Sequence, residues 1–283
     1  TIILHIDGKE VSVDLRKNAY ENASSKFEKA RELERKVSRI NEKIEELHRK
    51  IEELKYETKL LEIEEKAKIR RKEWYEKYHW IIEDNYLIIG GRNADQNESI
   101  VKKYMEPNDI FMHAEIHGAP VVIIKAKGKI SEKALKEAAI IAAAYSKAWK
   151  EGLGAIDVYW VWGKQVSKKP PSGEYLPKGA FMVYGKRNYI RNIPLTLALG
   201  LEKMNSWLRV IVGSEEHVKN KTLAYVTLVP GHISPHSLAK IIKEELIKKA
   251  PEKLKPLIKS ISVEELALRI PGPSVIRKIV INI

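Results

Sequence analysis

A glycine turn that leads into a helix is the first part of this sequence whose residue types point to chemistry. Residues 85–105, NYLIIGGRNADQNESIVKKYM, begin with an apolar run that ends in Gly90-Gly91 and continue as a helical stretch. The backbone amides of a glycine turn at a helix N-terminus attract anions, and the guanidinium of Arg92 adds a positive charge. The sequence therefore predicts a candidate phosphate site here, with side chains from Arg92, Asn93, Gln96 and Asn97.

A well-capped turn that binds nothing explains the same residues. Asp95, with Glu98 three positions later, predicts the N-cap and the capping box of the helix. The spacing of the glycines matches neither a Walker A loop nor a dinucleotide-binding fingerprint. From the spacing alone the capped turn is the favoured interpretation, and the phosphate site is its alternative.

Three polar side chains on one predicted strand face raise the question of a metal site. In residues 109–117, DIFMHAEIH, alternation places apolar side chains on one face, those of Ile110, Met112, Ala114 and Ile116. The other face holds Phe111, His113, Glu115 and His117. Alternate strand positions can supply metal ligands, but the local sequence offers no fourth ligand. A polar face that contacts RNA or packs at an interface is the favoured interpretation.

Cations lie among aromatic residues in a third segment, residues 160–175. Its sequence, WVWGKQVSKKPPSGEY, places a polar cluster beside three aromatic residues: Lys164, Gln165, Ser167, Lys168 and Lys169 beside Trp160, Trp162 and Tyr175. Such a mixture suits unpaired RNA, whose phosphates pair with lysine and whose bases stack on rings. The tryptophans taken alone are better explained as core residues, and a solvated lysine loop stays an alternative. Further candidates for contacts with RNA are Lys125, Lys186 and Arg187.

The overall charge is strongly positive, with 51 Lys+Arg against 38 Asp+Glu and a net charge of +13. The excess lies outside the long helical segment. Residues 17–79 hold 18 basic and 15 acidic residues, against 17 and 10 in 85–200 and 14 and 8 in 201–283. A basic globular part indicates a polyanionic partner. The absence of cysteine excludes disulfides and thiolate metal sites and makes the cytoplasm the expected compartment.

No combination of residues in the sequence predicts catalysis. The sequence has no nucleophile elbow, no local Ser-His-Asp order and no recognisable pair of carboxylates. We therefore expect a protein that is not an enzyme and that needs no cofactor. No stretch is apolar for long enough to span a bilayer, so no membrane partner is expected.

The elements that must position these residues begin with a hairpin and a long helical arm. Residues 1–16 alternate around Asp7-Gly8, which predicts a β-hairpin. Residues 17–79 contain neither glycine nor proline, and their apolar residues recur at the 3-4 spacing of a coiled-coil seam. The seam consists of Leu33, Val37, Ile40, Ile44, Leu47, Ile51, Leu54 and Leu61. The pattern leaves open whether the seam pairs with another chain, another part of the protein, or this segment folded back.

Residues 80–200 and 201–283 mix strands with helices. The predicted strands are 85–89, 109–117, 121–128, 207–212, 222–229 and 276–283, with a further strand that begins at Ala155 and leads into the basic loop. The predicted helices are 95–105, 132–150, 236–249 and 263–269. A hairpin is also predicted around Gly185-Lys186. Hairpins in place of repeating βαβ units favour an α+β fold. The expected architecture is a long coiled-coil arm attached to a basic mixed α/β domain, with a small C-terminal α+β unit.

Together these segments resemble the RNA-binding (NFACT-R) domain of the NEMF/RqcH/FbpA family, the NFACT proteins. The resemblance rests on WIIEDNYLIIGGRNADQNESIVKKYMEPNDIFMHAEIHGAPVVIIK, on AAAYSKAWKEG and on WVWGKQVSKKPPSGEYLPKGAFMVYGKRNYI. NAYENASSKFEKARELERK is similar to the start of the family's coiled-coil segment, and HSLAKIIKEELIKKAPEKLKPLIKSISVEELALRIPGPS resembles the tail of archaeal members. The signature positions match Arg92, Asn97, His113, His117, Lys164, Gln165 and Lys168.

The resemblance implies a role in ribosome-associated quality control. Family members bind the large ribosomal subunit after a stalled ribosome has split, recognise the remaining peptidyl-tRNA, recruit tRNA and in many lineages support C-terminal tailing. The coiled coil is expected to be an antiparallel arm, and the RNA-binding domain is expected to meet tRNA. Members begin with a large N-terminal domain and a helix-hairpin-helix module without counterpart here, so we expect a C-terminal fragment or a split subunit.

These inferences lead to a module that binds tRNA, ribosomal RNA and the large ribosomal subunit without catalysing a reaction. The arm's candidate partners are the family's N-terminal domain and a second copy of the chain. Two alternatives come from other classes. One is a metal-dependent enzyme that acts on nucleic acid through His113, Glu115 and His117. The other is a coiled-coil adaptor that uses residues 17–79 alone.

Overall fold

The computed structural model describes residues 1–68, 72–169, 176–205 and 207–282 in two compact units, Thr1–Lys59 and Leu60–Ile283. The strands are β1 (Ile2–Ile6), β2 (Lys9–Val13), β3 (His79–Glu83), β4 (Tyr86–Gly90), β5 (Ile110–Ala114), β6 (Val122–Ile124), β7 (Ala155–Trp162), β8 (Val166–Ser167), β9 (Met182–Val183), β10 (Asn188–Pro194), β11 (Leu197–Lys203), β12 (Leu208–Gly213), β13 (Ala224–Ile233) and β14 (Ser274–Ile281). The helices are α1 (Ala19–Lys68), α2 (Ala94–Lys103), α3 (Glu132–Ala144), α4 (Lys147–Lys150), α5 (Glu215–Lys221), α6 (Pro235–Lys249), α7 (Lys255–Lys259) and α8 (Val263–Ala267), with 3-10 helices at Trp74–Lys77 and Gly163–Gln165. Within these ranges no helix has both the length and the apolarity that crossing a bilayer requires.

The first unit consists of a β-hairpin followed by most of α1. Strands β1 and β2 pair antiparallel around Asp7 and Gly8, whose φ angles of 47° and 75° lie in the left-handed region. Two left-handed residues form the mirror-image turn that matches the twist of the strands. Asn18 caps α1: its Oδ1 accepts from the Glu21 amide at 2.8 Å, and the Glu21 carboxylate accepts from the Asn18 amide at 3.0 Å. This reciprocal pair is a capping box.

Helix α1 is continuous over 50 residues, and its apolar seam is exposed. The seam side chains from Leu33 to Leu54 are between 45% and 61% exposed. The helix does not turn back before Lys68, and residues 69–71 of the predicted arm lie outside the described ranges. The predicted arm segment extends to His79, and His79 itself lies buried in β3. The pairing of the seam stays a prediction.

Six antiparallel strands form the larger sheet of the second unit, in the order β10-β7-β5-β6-β4-β3. Both faces of this sheet are covered. Ile88 and Met112 pack on the face that carries α3, whereas Ile89 and Phe111 pack on the face that carries α2. A sheet covered on both faces needs apolar residues at consecutive positions. Phe111 lies on the strand face opposite Met112, as predicted, but that face is buried at this position, since the side chain is 2% exposed.

The alanine-rich helix packs closely on the sheet, as predicted, but it ends earlier. Ala138, Ala139 and Ala142 are fully buried, because a methyl side chain lets the helix backbone approach the strands. The predicted helix over 132–150 is divided into α3 and α4. Ser146 causes the division: its Oγ accepts from the Ala148 amide at 3.2 Å and caps the second helix.

The hairpin predicted around Gly185-Lys186 is absent from the described residues. Strand β9 pairs with β8, whereas β10 pairs with β7, so the chain changes sheets at this turn. The φ of 76° at Gly185 fits a sharp turn. Local turn residues predicted a turn correctly, but they could not predict which strands the flanking residues join.

A second antiparallel sheet, in the order β12-β11-β13-β14, carries the C-terminal helices. The sequence prediction missed β11, α5 and α7. Buried residues of this sheet, such as Leu199 and Val226, belong to the same apolar core as Ile81 and Ile88 of the six-stranded sheet. The antiparallel sheets with helices packed on them agree with the predicted α+β class, and the division at residue 200 stays a prediction.

Gly163 fixes the start of the predicted basic loop. Its amide donates to the Asp109 carbonyl at 2.7 Å, and the Lys164 amide donates to the Pro107 carbonyl at 3.0 Å. A Cβ added at residue 163 would lie 2.3 Å from the carbonyl oxygen of Glu106. The two backbone segments are therefore too close for any side chain at this position.

We predict that Gly163→Ala destabilises the second unit by about 1–3 kcal/mol, because the Glu106 backbone must move. Urea unfolding of the full chain, followed by tryptophan fluorescence, measures the change. Gly154→Ala is the matched control, since a Cβ there meets no atom within 4 Å, and its unfolding midpoint should not fall. Equal midpoints for Gly163→Ala and the wild type would contradict the prediction.

Candidate nucleic-acid interface

Asn97 closes the glycine turn between β4 and α2. A Cβ added at Gly91 would lie 2.1 Å from Asn97 Oδ1 and 2.8 Å from the Asn97 amide nitrogen, so only glycine fits. Asn97 Oδ1 also accepts from the Val121 amide at 3.2 Å, and the Gly91 amide donates to the Val121 carbonyl at 3.0 Å. Asn97 therefore joins the turn to the residues before β6, and its carbonyl oxygen is used within the fold.

The N-cap of α2 is Asn93, two positions before the predicted Asp95. Asn93 Oδ1 accepts from the Gln96 amide at 2.9 Å, and Gln96 Oε1 accepts from the Arg92 amide at 3.1 Å. The predicted cap at Asp95 was wrong because α2 already begins at Ala94, which places Asp95 inside the first turn. The side chains of Asn93 and Gln96 thus hold the backbone of the turn in place.

Two guanidinium groups share one backbone carbonyl beside this turn. Arg92 Nη2 donates to the Tyr78 carbonyl at 3.3 Å, and Arg269 Nη1 donates to the same oxygen at 3.2 Å. Burial, together with the charge of Arg92, lowers the pKa of Arg269 to about 10, and burial also lowers the pKa of Arg92. Among the described residues no carboxylate lies within ion-pair distance of either guanidinium, although the charges of Glu265 and Glu76 act on Arg269. Positive charge is therefore concentrated at this carbonyl.

His79 lies next to the two arginines as a neutral ring. It stacks on Tyr145 with ring centroids 3.5 Å apart, and the Tyr145 hydroxyl donates to the Arg269 carbonyl at 2.6 Å. Burial, and then the charges of Arg92 and Arg269, lower the pKa of His79 well below its ordinary value of 6.5. In the described part of the chain, its Nδ1 is buried without a hydrogen-bond partner.

The turn forms one wall of a cavity of about 610 Å³, here called the cleft. Its walls come mainly from residues 91–94 and 97, 117–121, 177–181, 268 and 270–271. The cleft is lined by five residues of the predicted site: Arg92, Asn93, Asn97, His113 and His117. It also has aromatic walls and cations, which are Phe111, Tyr145, Tyr159 and Phe181, with Lys150 and Lys178. Among the described residues that line the cleft there is no carboxylate.

The predicted polar strand face divides at β5. His113 and His117 line the cleft, and burial lowers the pKa of His113, so its ring is neutral near pH 7. Glu115 instead accepts from Arg187 Nη1 at 3.1 Å and from the Tyr189 hydroxyl at 3.3 Å. Across the described residues, no three His, Asp or Glu side chains come together as metal ligands.

A basic surface adjoins the cleft, and we call it the basic ledge. It consists of Lys164, Lys168, Lys169, Lys186 and Arg187. Gln165 joins its two segments: Nε2 donates to the carbonyls of Tyr184 at 2.8 Å and Lys186 at 3.1 Å, and Oε1 accepts from the Trp162 amide at 3.0 Å. The polar atoms of Gln165 are therefore used within the fold, where they hold two basic segments side by side.

Two cations of the basic ledge contact rings that line the cleft. Lys168 Nζ lies 5.4 Å from the centre of the Phe181 ring and pairs with Glu98. Arg187 lies 4.5 Å from the centre of the Tyr159 ring, a cation–π distance, and pairs with Glu115. These contacts make the ledge and the cleft one continuous surface. The exposed ledge residues are Lys164, Lys169, Lys186 and Arg187, and Ser167 Oγ accepts from the Lys169 amide at 3.0 Å.

Lys125 does not share this surface. Its Nζ donates to the Tyr104 carbonyl at 2.7 Å and to Asp109 Oδ2 at 2.5 Å, where Asp109 is completely buried. Its ammonium thus neutralises a buried carboxylate. Trp160 and Trp162 pack against the core, in agreement with their interpretation as core residues. Tyr175, the third aromatic residue of the basic loop, lies outside the described residues.

Sequence reasoning missed several residues of the surface. They are His79, Lys150, Lys178, Tyr145 and Arg269. Lys178 stands in the Pro-Lys-Gly turn of residues 177–179, so a turn carrying a cation was a usable signal. Arg269 had no such signal, because it lies in the turn after α8, far along the chain from the matched motifs.

Residues 76–185 match the model of the family described as the NFACT protein RNA binding domain. The chain is 47% identical over 243 residues to the archaeal Rqc2 homolog aRqcH of Methanocaldococcus jannaschii, which covers 83% of this chain and 36% of that protein. It is 49% identical over 138 residues to the ribosome quality control complex subunit NEMF homolog of Drosophila melanogaster, covering 48% of this chain and 14% of that protein. The human ribosome quality control complex subunit NEMF is 46% identical over 126 residues, or 44% of this chain and 12% of that protein. The chain thus spans about a third or less of these relatives.

The buried neutral His79 predicts a pH dependence of stability. Because its pKa is lower in the folded state than the ordinary value of about 6.5, the unfolded chain binds more protons below that pH. Folding stability is therefore expected to fall as the pH decreases from about 7 to about 5. His79→Phe keeps a ring against Tyr145 and removes the titration. Its urea midpoints should fall less over this range than those of the wild type, and equal slopes would contradict the assignment.

Proposed function

The chain belongs to the NFACT family, and from this premise we propose that it is the RNA-binding module of a ribosome quality control factor. Relatives from an archaeon, an insect and humans carry names that refer to ribosome quality control or to its subunit Rqc2. This chain spans only part of each relative. The role of the whole protein is therefore a proposal that rests on its RNA-binding part.

The observation that carries the proposal is the continuous surface of the cleft and the basic ledge. It combines cations with aromatic rings, and most of it lies inside the matched residues 76–185. RNA with unpaired segments presents phosphates and exposed base faces, which are the two chemistries that this surface complements. The net charge of +13 supports the same proposal, since positive charge increases the rate and the affinity of association with polyanions.

We assign different roles to the candidate residues according to the atoms that remain available. Arg92 and the histidines His113 and His117 face the cleft, and we propose that they contact RNA directly. We assign phosphate contacts along a strand to the exposed cations of the basic ledge. Gln96, Asn97 and Gln165 use their polar atoms to hold the backbone, so their contribution to binding is to keep the surface in shape.

The partners that we propose are tRNA and the large ribosomal subunit. A quality control factor acts where a ribosomal surface and a tRNA are both present, and a surface of cations and rings can bind either RNA. We also propose that the exposed seam of α1 pairs with a helix from another part of a longer protein, since an apolar seam is stabilised when a partner helix buries it. C-terminal tailing would then require the parts of the relatives that this chain does not span.

A binding role fits the surface better than the two alternatives. A metal-dependent enzyme would require a ligand set, and the Glu115 carboxylate is instead bound by Arg187 and Tyr189. A pure adaptor would depend on α1 alone and would leave the charge of the second unit without a role.

We predict that the full chain binds tRNA with a steep dependence on salt, because each neutralised phosphate releases counterions. Replacing two exposed ledge cations in Lys164→Ala/Lys186→Ala should weaken tRNA binding and reduce the slope of log K against log salt by about 1–2. Filter-binding titrations over a series of salt concentrations measure both quantities.

A matched control removes the same charge from the first unit. Lys29→Ala/Lys59→Ala changes two exposed lysines of α1, and its affinity and slope should follow those of the wild type. If the wild type has no affinity for tRNA, the proposed function is wrong. If both double variants weaken binding equally, net charge and not the basic ledge determines the affinity.

A further inference from the structure

The cleft has a composition that the basic ledge does not share. It is a concave cavity of about 610 Å³, within the range of sites that enclose small ligands. Positive residues and rings line it, and the described lining contains no carboxylate. In contrast, Lys168 and Arg187 of the basic ledge already pair with Glu98 and Glu115. The cleft cation Lys178 likewise pairs with Asp95, but among the described residues no carboxylate lies within ion-pair distance of Arg92, so an anion at Arg92 would meet charge that is not yet compensated.

Two guanidinium groups that are partly or fully buried concentrate positive charge at the base of the cleft. Arg92 lines the cleft, and Arg269, which is 6% exposed, lies behind it on the same Tyr78 carbonyl. Two neighbouring guanidinium groups repel each other, and the charges of Glu265 and Glu76 act on Arg269 but not on Arg92. A bound phosphate would lower the energy of this arrangement, because guanidinium groups form strong charge-assisted hydrogen bonds with it.

A second feature of the cleft suits a flat, largely apolar group. Phe181, Tyr159 and Tyr145 contribute rings to its walls, and the His113 ring adds a neutral donor and acceptor. A nucleobase has faces that stack on such rings and edges that bond to an imidazole. Phosphate and base together are the chemistry of a nucleotide.

The residues that follow α8 in the chain form part of the cleft wall, so the cleft depends on the C-terminal sheet as well as on the six-stranded sheet. Leu268, Ile270 and Pro271 line one side of it, outside the matched residues 76–185. The Tyr145 hydroxyl fixes this segment by donating to the Arg269 carbonyl. The C-terminal sheet and its helices thus complete a wall that the matched residues alone leave open.

We propose that the cleft binds one unpaired nucleotide of an RNA, with its phosphate at Arg92 and its base against the aromatic wall, and that the C-terminal segment 268–271 completes this site. The inference rests on the proposed function, because it assigns the nucleotide to RNA. A base-paired nucleotide is excluded by shape, since a duplex keeps its bases stacked inside and presents only its backbone to a concave wall.

The test compares two RNA probes on the full chain. One is a blunt-ended RNA hairpin, and the other is the same hairpin with a short unpaired extension. The wild type should bind the extended hairpin about tenfold more tightly, an advantage typical of one stacked base. Arg92→Gln and His113→Ala should lose most of this advantage, so that the ratio of their affinities for the two hairpins falls towards one.

A substitution at the rim avoids the risk that Arg92→Gln alters the fold. Leu268 is 57% exposed and lines the cleft, so Leu268→Trp should fill it and abolish the preference for the extended hairpin. Ile130→Trp is the matched control: Ile130 is 46% exposed, lies outside the cleft lining, and its variant should keep the preference. Urea midpoints of both variants confirm that they are folded.

The outcomes separate the two proposals. Tight binding of both hairpins with equal affinity by the wild type would overturn the cleft assignment and leave the RNA-binding function standing. Absence of binding to either hairpin would overturn the function itself. The double variant Lys164→Ala/Lys186→Ala should bind both hairpins more weakly and leave the ratio of the two affinities unchanged.

Discussion

The carbonyl oxygen of Tyr78 is the acceptor on which the geometry of the cleft depends. It binds Arg92 from the turn after β4 and Arg269 from the segment after α8, so one backbone atom connects parts of the chain that are distant in sequence. A carbonyl oxygen has two lone pairs and can accept both bonds. The arrangement keeps two cations close together, and the apolar core shared by the two sheets holds the surrounding backbone in place.

Polar residues near this carbonyl divide into those that hold the backbone and those that face the cleft. Asn97 occupies the space that a side chain at residue 91 would need, and Gln165 ties the basic loop to the residues before β10. Buried backbone groups need hydrogen-bond partners, and in a tight turn a side-chain amide supplies them. A polar motif can therefore be required for RNA binding although some of its side chains never reach the RNA.

Local periodicity made several parts of the fold predictable. The hairpin around Asp7-Gly8, the long glycine-free helix and the alanine-rich helix each depend on short-range preferences. Predictions from periodicity failed for strands that are covered on both faces. The burial of Phe111 was not predicted and β11 was missed, because a doubly covered strand has no polar alternation from which to infer its faces. The sequence motifs around Arg92, His113 and Lys164 nevertheless identified the RNA-binding domain correctly.

The sequence by itself determined the α+β class, the basic globular part, the glycine turn and the family, because these depend on composition and on residues that are close in the chain. Only the tertiary structure decided which polar side chains share a surface. Lys125 is drawn to the buried Asp109, whereas His79, Lys178 and Arg269 join the surroundings of the cleft. The physical reason is that ion pairing and burial depend on distances in space, and residues far apart in sequence carry no local pattern that records those distances.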